Sequence, residues 1–303
     1  MTISRKHFLK LSSIAAGSLF FPFRTFGESF FLYKPGFGNV RLGTGIYTEK
    51  GGTIGWYISD TAVIAIDTQS PETAENFRRG IKDKAKRNFD IVFNTHHHGD
   101  HTAGNYLLKD YTNKIVAHEN CPKLQKQAYG TGEKADKQVY AETTFSEIWK
   151  TDISTDVINA IYLGPAHTGG DSIIYFEKAD VAHVGDLVFN RTYPFIDPVG
   201  GGSIKEWIDV LEKAEKNFPD STTFIFGHAK SDNFVTGTKD DILYMRDFLS
   251  ALLEYVNKGI QSGQSLEEIK LVQLIPGFSE HTERWKGALQ LNIEQAFNEL
   301  NKK

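Results

Sequence analysis

Four of the chain's ten histidines fall within six consecutive positions: His96, His97, His98 and His101, with Asp100 among them, in the stretch "NTHHHGDH". Imidazole and carboxylate at this density are costly in an apolar core. They belong where a regular element opens into a loop and its polar side chains converge. The preceding residues 91–94, "IVFN", have the pattern of a short buried strand, which delivers the chain to His96. Two positions apart at a strand end, His96 and His98 turn their rings to one side. A short helix is expected to start near His101.

Three more donors follow expected strands, each beside glycine or a turn. They are His167 in "GPAHTGGD", Asp186 in "HVGDLVF" and His228 in "IFGHAK". With His96, His98, Asp100 and His101 they make five imidazoles and two carboxylates without a thiolate. The one cysteine, Cys121, excludes both a multi-cysteine metal site and an internal disulfide framework. Nitrogen and oxygen donors suit zinc, iron or manganese. Zinc takes about four ligands, so seven protein donors and a shared hydroxide fit two ions.

The order H-x-H-x-D-H, then His, then Asp, then His resembles that of the metallo-β-lactamase-fold hydrolases, over about residues 38–236. Asp67 in "AIDT" matches an aspartate that the family carries at the end of an early strand. The resemblance implies an α/β fold of the αββα sandwich type, two β-layers with helices outside, here with a C-terminal helical extension. It implies that His96, His98 and His167 bind one zinc ion, that Asp100, His101 and His228 bind a second, and that Asp186 bridges them. Asp100 would also orient the nucleophile. The expected activity is hydrolysis of a small-molecule ester, thioester, lactone or lactam by a hydroxide held between the ions. An iron-dependent redox enzyme similar to the persulfide dioxygenases is the alternative from another class, and a β-lactamase proper is a third. Phe189 stands three residues after Asp186, where β-lactamases with a cysteine at the Asp186 position carry a substrate-anchoring lysine.

The other histidines, His97, His118, His183 and His281, are expected to be structural, with His97 pointing away from the site. Asp171 reads equally as an acceptor for a ligand histidine or as a turn residue. Tyr193, Phe195, residues 199–203 and residues 127–142 are candidate pocket segments.

Along the chain, strands are expected within 53–68, at 114–118, as hairpins in a second sheet within 142–190, and at 222–228. Helices are expected at 71–86 with Ser70 as cap, at 203–218, from Thr238 onward, and at 265–274 and 282–301. Residues 1–27 carry four basic residues and no acidic one, and a modest apolar run follows Arg5, Lys6 and Lys10. That is the layout of an export signal of twin-arginine type with Lys6 in place of the second arginine. It is shorter and more polar than the ~20 apolar residues a membrane span needs. The expected organisation is therefore a signal at 1–27, a catalytic domain at 28–258 and a helical extension at 259–303, in an exported, periplasmic protein without stable membrane insertion. The net charge of −4, with scattered cations, offers no footprint for nucleic acid. Oligomeric state leaves no trace in the sequence.

Overall fold

The computed structural model describes residues 36–302; the expected export signal lies outside them. A seven-stranded sheet runs in chain order through β1 (Gly36–Asn39), β2 (Thr44–Thr48), β3 (Ile54–Ile58), β4 (Val63–Ile66), β5 (Ile91–Asn94), β6 (Ile115–His118) and β7 (Thr143–Phe145). Its first four strands are antiparallel, and β4 to β7 are parallel. The second sheet is built from β8 (Ile148–Asp152), β9 (Val157–Tyr162), β10 (Ser172–Phe176) and β11 (Val181–His183). After the short β12 (Phe189–Asn190), it is completed by β13 (Thr223–Ile225). The two-residue β14 (His228–Ala229) pairs with β12, and β15 (Thr236–Gly237) forms the edge beside β13.

Side-chain alternation makes the layers. In β4, Ile64 and Ile66 face the core between the sheets, while Val63 and Ala65 face outward to a second core. In the other sheet, Ile174 and Phe176 of β10 and Ile225 of β13 meet Ile64 and Phe93 in that central core, whereas Ile173 and Phe224 face the opposite way. Helix α1 (Pro71–Ala85) covers the outer face of the first sheet with Ala74, Phe77 and Ile81. Its start is fixed by Ser70, whose side chain accepts from Thr73 N–H, and by Pro71 in the first turn. Three short helices, α2 (Gly99–Thr102), α3 (Asn105–Leu108) and α4 (Asn120–Tyr129), follow on the same side of the chain order.

The outer face of the second sheet packs against α5 (Ile204–Asn217), α6 (Lys239–Gln261) and α8 (Ala288–Asn301), which contribute Trp207, Leu211, Phe248, Leu252, Leu289 and Ile293 to one core. The αββα expectation is therefore met, with C-terminal helices packed on one outer face. Two helices are shorter than expected. Residues 265–274 yield only α7 (Leu266–Ile269). In the last segment Gly287, at φ 85°, precedes the helix in a left-handed conformation, so residues 282–287 are irregular. Helix α6 also continues to Gln261, past the 258/259 boundary. Among the described residues, no helix is long and apolar enough to cross a membrane.

Candidate metal centre

The loops leaving β4, β5, β9 and β11 and the start of β14 meet at one end of the sandwich. His96 follows β5 directly, and His98, in extended backbone, caps the turn into α2, which carries Asp100 and His101. Asp186 sits in a tight turn, Gly185–Leu187, after β11. The segment after β9 brings His167, and β14 begins at His228. All seven expected donors come together, and they fall into two groups. His96, His98, His167 and Asp186 form one; Asp100, His101 and His228 form the other.

In the first group, His98 Nδ1 lies 3.1 Å from His96 Nε2 and 3.0 Å from His167 Nε2. Asp186 Oδ2 is 3.8 Å from His96 Nε2 and 3.5 Å from His167 Nε2. In the second, His228 Nε2 is 3.1 Å from Asp100 Oδ2, and His101 Nε2 is 3.8 Å from the same oxygen. Asp186 reaches this group as well: Oδ1 is 3.2 Å from His101 Nε2, and Oδ2 is 3.4 Å from His228 Nε2.

The opposite ring nitrogens fix which lone pairs face inward. His101 Nδ1 donates to Asp67 Oδ2 (2.8 Å), and His167 Nδ1 donates to the Phe195 carbonyl (2.6 Å). His98 Nε2 donates to Asp197 Oδ2 at 3.0 Å. Thr95 Oγ1 gives its proton to Asp67 Oδ2 (2.8 Å) and so accepts from His96 Nδ1 (3.1 Å). Each of these four rings thus keeps its proton on the outer side and presents an acceptor to the centre. Asp67, at φ 65°, sits in the left-handed region beyond β4 and serves both His101 and Thr95.

Converging acceptors need a cation among them. His101 Nε2 and Asp186 Oδ1 are buried, face each other at 3.2 Å and meet no other polar partner. Such groups are costly unless something positive pairs with them. Charge in the metal-free site tells the same story. Burial opposes a charged His101, but Asp186, Asp100 and Asp67 outweigh it and raise its pKa well above the usual histidine range. Burial and the charge of His101 instead hold His96 far below that range, and burial with His98 lowers His167 to about 3. The cluster as a whole calls for positive charge, and its neutral rings are ready to ligate. The residues present fit divalent ions. Space is also reserved: a Cβ on Gly227 would collide with Asp186 Oδ1, and one on Gly52 with the His101 ring.

The remaining polar residues sort out as follows. His97 is buried and not in either group, but its Nε2 lies 3.5 Å from Asp197 Oδ2, so it backs the same carboxylate as His98. His118 stacks on Tyr162 at 3.8 Å, and His183 Nε2 donates to the Thr53 carbonyl (3.0 Å); both are structural. His281 is stacked against Phe248 and Tyr244. Asp171 accepts from Thr168 N–H and Oγ1, so it is the turn residue and touches no donor histidine. Cys121 is fully buried rather than partly so, and burial raises its thiol pKa.

A cavity of about 640 Å³ opens over the centre, with His98, Asp100, Asp186 and His228 in its floor. Of the segments expected at the pocket, 127–142 supplies Tyr129 and Lys134, and Phe195 is present; Tyr193 is buried elsewhere, against Phe248 and His281. Sequence reasoning missed two features. One is Asp197, whose only local mark is its place before Pro198 and three glycines. The other is the C-terminal segment, which contributes Arg284, Trp285 and Leu291 to the cavity wall.

Comparison with known proteins places this arrangement. Residues 48–228 match the family model of the metallo-beta-lactamase superfamily. The 2,4-dinitroanisole O-demethylase subunit alpha of Nocardioides sp. (strain JS1661) is 31% identical over 133 residues, 43% of this chain and only 39% of that protein. Among solved structures, the metallo-beta-lactamase from Pontibacter korlensis is 16% identical, with a TM-score of 0.59 over 71% of this chain and 98% of that one. The DIM-1 metallo-beta-lactamase is 18% identical, with a TM-score of 0.58 over 71% of this chain and 96% of its own. The sec-alkylsulfatase Pisa1 from Pseudomonas sp. is 14% identical, with a TM-score of 0.70 over 87% of this chain and half of its own length. By its matched family model, and with the fold of its structural neighbours, this chain belongs to the metallo-beta-lactamase superfamily.

Proposed function

We propose that the chain is a hydrolase that binds two zinc ions and attacks the carbonyl of an ester, thioester, lactone or lactam. The observation that carries this reading is the position of Asp186, whose two oxygens lie within 3.2–3.8 Å of ring nitrogens in both donor groups. His96, His98 and His167 would hold one ion, Asp100, His101 and His228 the other, with Asp186 between them. Bound there, a pair of divalent ions supplies a strong nucleophile from water near neutral pH and draws charge from the bond under attack. Asp100 is the candidate catalytic residue. Its side chain is 43% exposed, unlike the other donors, and borders the cavity. From there it can orient a water and take up its proton. Asp67, Asp197 and the Phe195 carbonyl hold the rings in register.

Two complete donor groups favour this reading over a single-iron redox enzyme. Phe189, in the cavity wall, leaves a β-lactam carboxylate without the usual lysine. The relatives' names widen the set of bonds to test to sulfate esters and aryl ethers. Metal analysis of the purified protein should find two zinc ions. His98→Ala should lose one ion and nearly all hydrolysis, whereas His97→Ala should keep both. The substrate panel is nitrocefin, a thioester, a lactone, an alkyl sulfate and an aryl methyl ether. A single bound iron with oxygen consumption would replace this reading by the redox one.

Export belongs to the same proposal. Residues 1–27 direct the chain out of the cytoplasm to the periplasm. Cell fractionation with and without this segment tests it, and an uncleaved cytoplasmic product overturns it.

A further inference from the structure

Apart from its histidines and the Tyr129 phenol, the cavity is lined by four ionisable groups. Two are carboxylates, Asp100 and Asp186, and both belong to the donor cluster. The other two, Lys134 and Arg284, are cations, in a chain whose net charge is −4. Both are exposed. Arg78, Arg191 and Arg246 each pair with a carboxylate within the protein, but among the described residues Arg284 and Lys134 form no ion pair. Their charge is available to whatever enters. The same cavity has apolar walls: Trp285 and Leu291 on the C-terminal segment that carries Arg284, and Phe195, 41% exposed, on the loop after β12. Apolar surface of this kind, beside a free guanidinium, fits a molecule with an apolar body and an oxyanion at one end. The low-dielectric walls concentrate the positive field in the cavity.

We propose that the substrate is an apolar molecule carrying an oxyanion away from the bond that is cut, that Arg284 is its principal counter-charge with Lys134 in support, and that Trp285, Leu291 and Phe195 hold the apolar body. This rests on the hydrolase reading in one respect only, that the cavity is where the substrate binds. The assignment makes the C-terminal segment the carrier of specificity. Arginine suits the task because its planar fork meets a carboxylate or sulfate with two parallel hydrogen bonds.

The test is binding, so that it does not depend on turnover. The protein as purified is titrated with two matched pairs of probes, 4-phenylbutyrate against 4-phenylbutanamide and octyl sulfate against 1-octanol, by quenching of tryptophan fluorescence and by calorimetry. The anionic member of at least one pair should bind about tenfold more tightly, the worth of one charge-assisted hydrogen bond. The pair with the larger ratio identifies the oxyanion. Arg284→Ala should bring the ratio close to one, Arg284→Lys should restore part of it, and Trp285→Ala should weaken both members of a pair alike. A wild-type ratio near one overturns the proposal. So does a ratio that survives Arg284→Ala, because the anion would then be seated on the metal cluster. A protein that shows the Arg284-dependent ratio but hydrolyses nothing in the panel keeps this inference and loses the hydrolase reading. A hydrolase without the ratio does the reverse.

Discussion

Asp197 accepts a hydrogen bond from His98 Nε2 at 3.0 Å and thereby turns the other nitrogen of that ring, Nδ1, toward His96 and His167. The second oxygen of Asp197 accepts from Gly200 N–H at 2.8 Å, so the carboxylate is fixed by its own loop. Outer partners of this kind are typically worth 10–100-fold in metal affinity. Asp197→Ala is predicted to weaken zinc binding by about that factor, and Asp197→Asn by less. A competition titration against a chelator measures it. Unchanged affinity in both variants would mean that the ring is held by packing alone.

Asp186→Asn separates a shared pair of ions from two independent ones. Asparagine has the same shape without the charge that offsets repulsion between two dications. Metal content should fall toward one ion per chain, the fold should persist by circular dichroism, and activity should partly recover in excess zinc. Two tightly held ions and full activity in this variant would remove Asp186 from its bridging role.

His281 gives a pH dependence away from the metal cluster. Burial, helped by the nearby Arg191, lowers its pKa from 6.5 to about 3. Tyr244 Oη donates to its Nδ1 at 3.3 Å, which suits a neutral ring. The unfolded chain therefore takes up this proton near pH 6.5 and the folded one does not until about pH 3. Its effect is absent above pH 6.5 and destabilises increasingly as the pH falls through that window. In chelator-treated protein, His281→Phe should lose about 2 kcal/mol less than wild type between pH 7 and pH 5. Urea unfolding at the two pH values reads the difference, and parallel losses would count against it.

Glu299, on α8, caps a different helix. Its carboxylate accepts from Ile204 N–H (2.7 Å), Lys205 N–H (3.0 Å) and Ser203 Oγ (3.0 Å) at the start of α5. A carboxylate at a helix N-terminus satisfies open N–H groups and meets the favourable end of the dipole. Glu299→Ala is predicted to cost roughly 1–2 kcal/mol, and Glu299→Gln about half as much, measured by urea denaturation. An unaltered midpoint in both would show that water replaces the cap without loss.

What the sequence disclosed was what local spacing can carry. His96, His98, Asp100 and His101 are near neighbours in one turn, and Asp186, His167 and His228 each follow a strand whose apolar pattern is plain. Asp67 was legible through the resemblance, which places an aspartate at the end of an early strand. Asp197 was not, because its partner His98 lies 99 positions away and nothing local to "IDPVGGG" points to a histidine. The place of Arg284 and Trp285 in the cavity wall was hidden differently. Their segment has a helical pattern, so it reads as an outer layer, whereas Gly287 breaks it and lets residues 282–287 turn over the cavity. Asp171 left two readings open because it lies close in sequence to His167; the turn reading is the one observed, with both oxygens spent on Thr168.

The C-terminal segment also grips the loop that holds the histidines. Asn292 donates to the Pro194 carbonyl (2.7 Å), Thr192 pairs with Thr282, and Arg191 meets Glu280 at 3.0 Å. That loop bears the Phe195 carbonyl and Asp197. The cavity wall and the support that aims two of the rings are therefore tied to each other by direct contacts. If binding at one place shifts these contacts, thermodynamic reciprocity makes the coupling to the other equal in both directions. A lineage that remodels its C-terminus to accept a new molecule would alter its hold on metal in the same step.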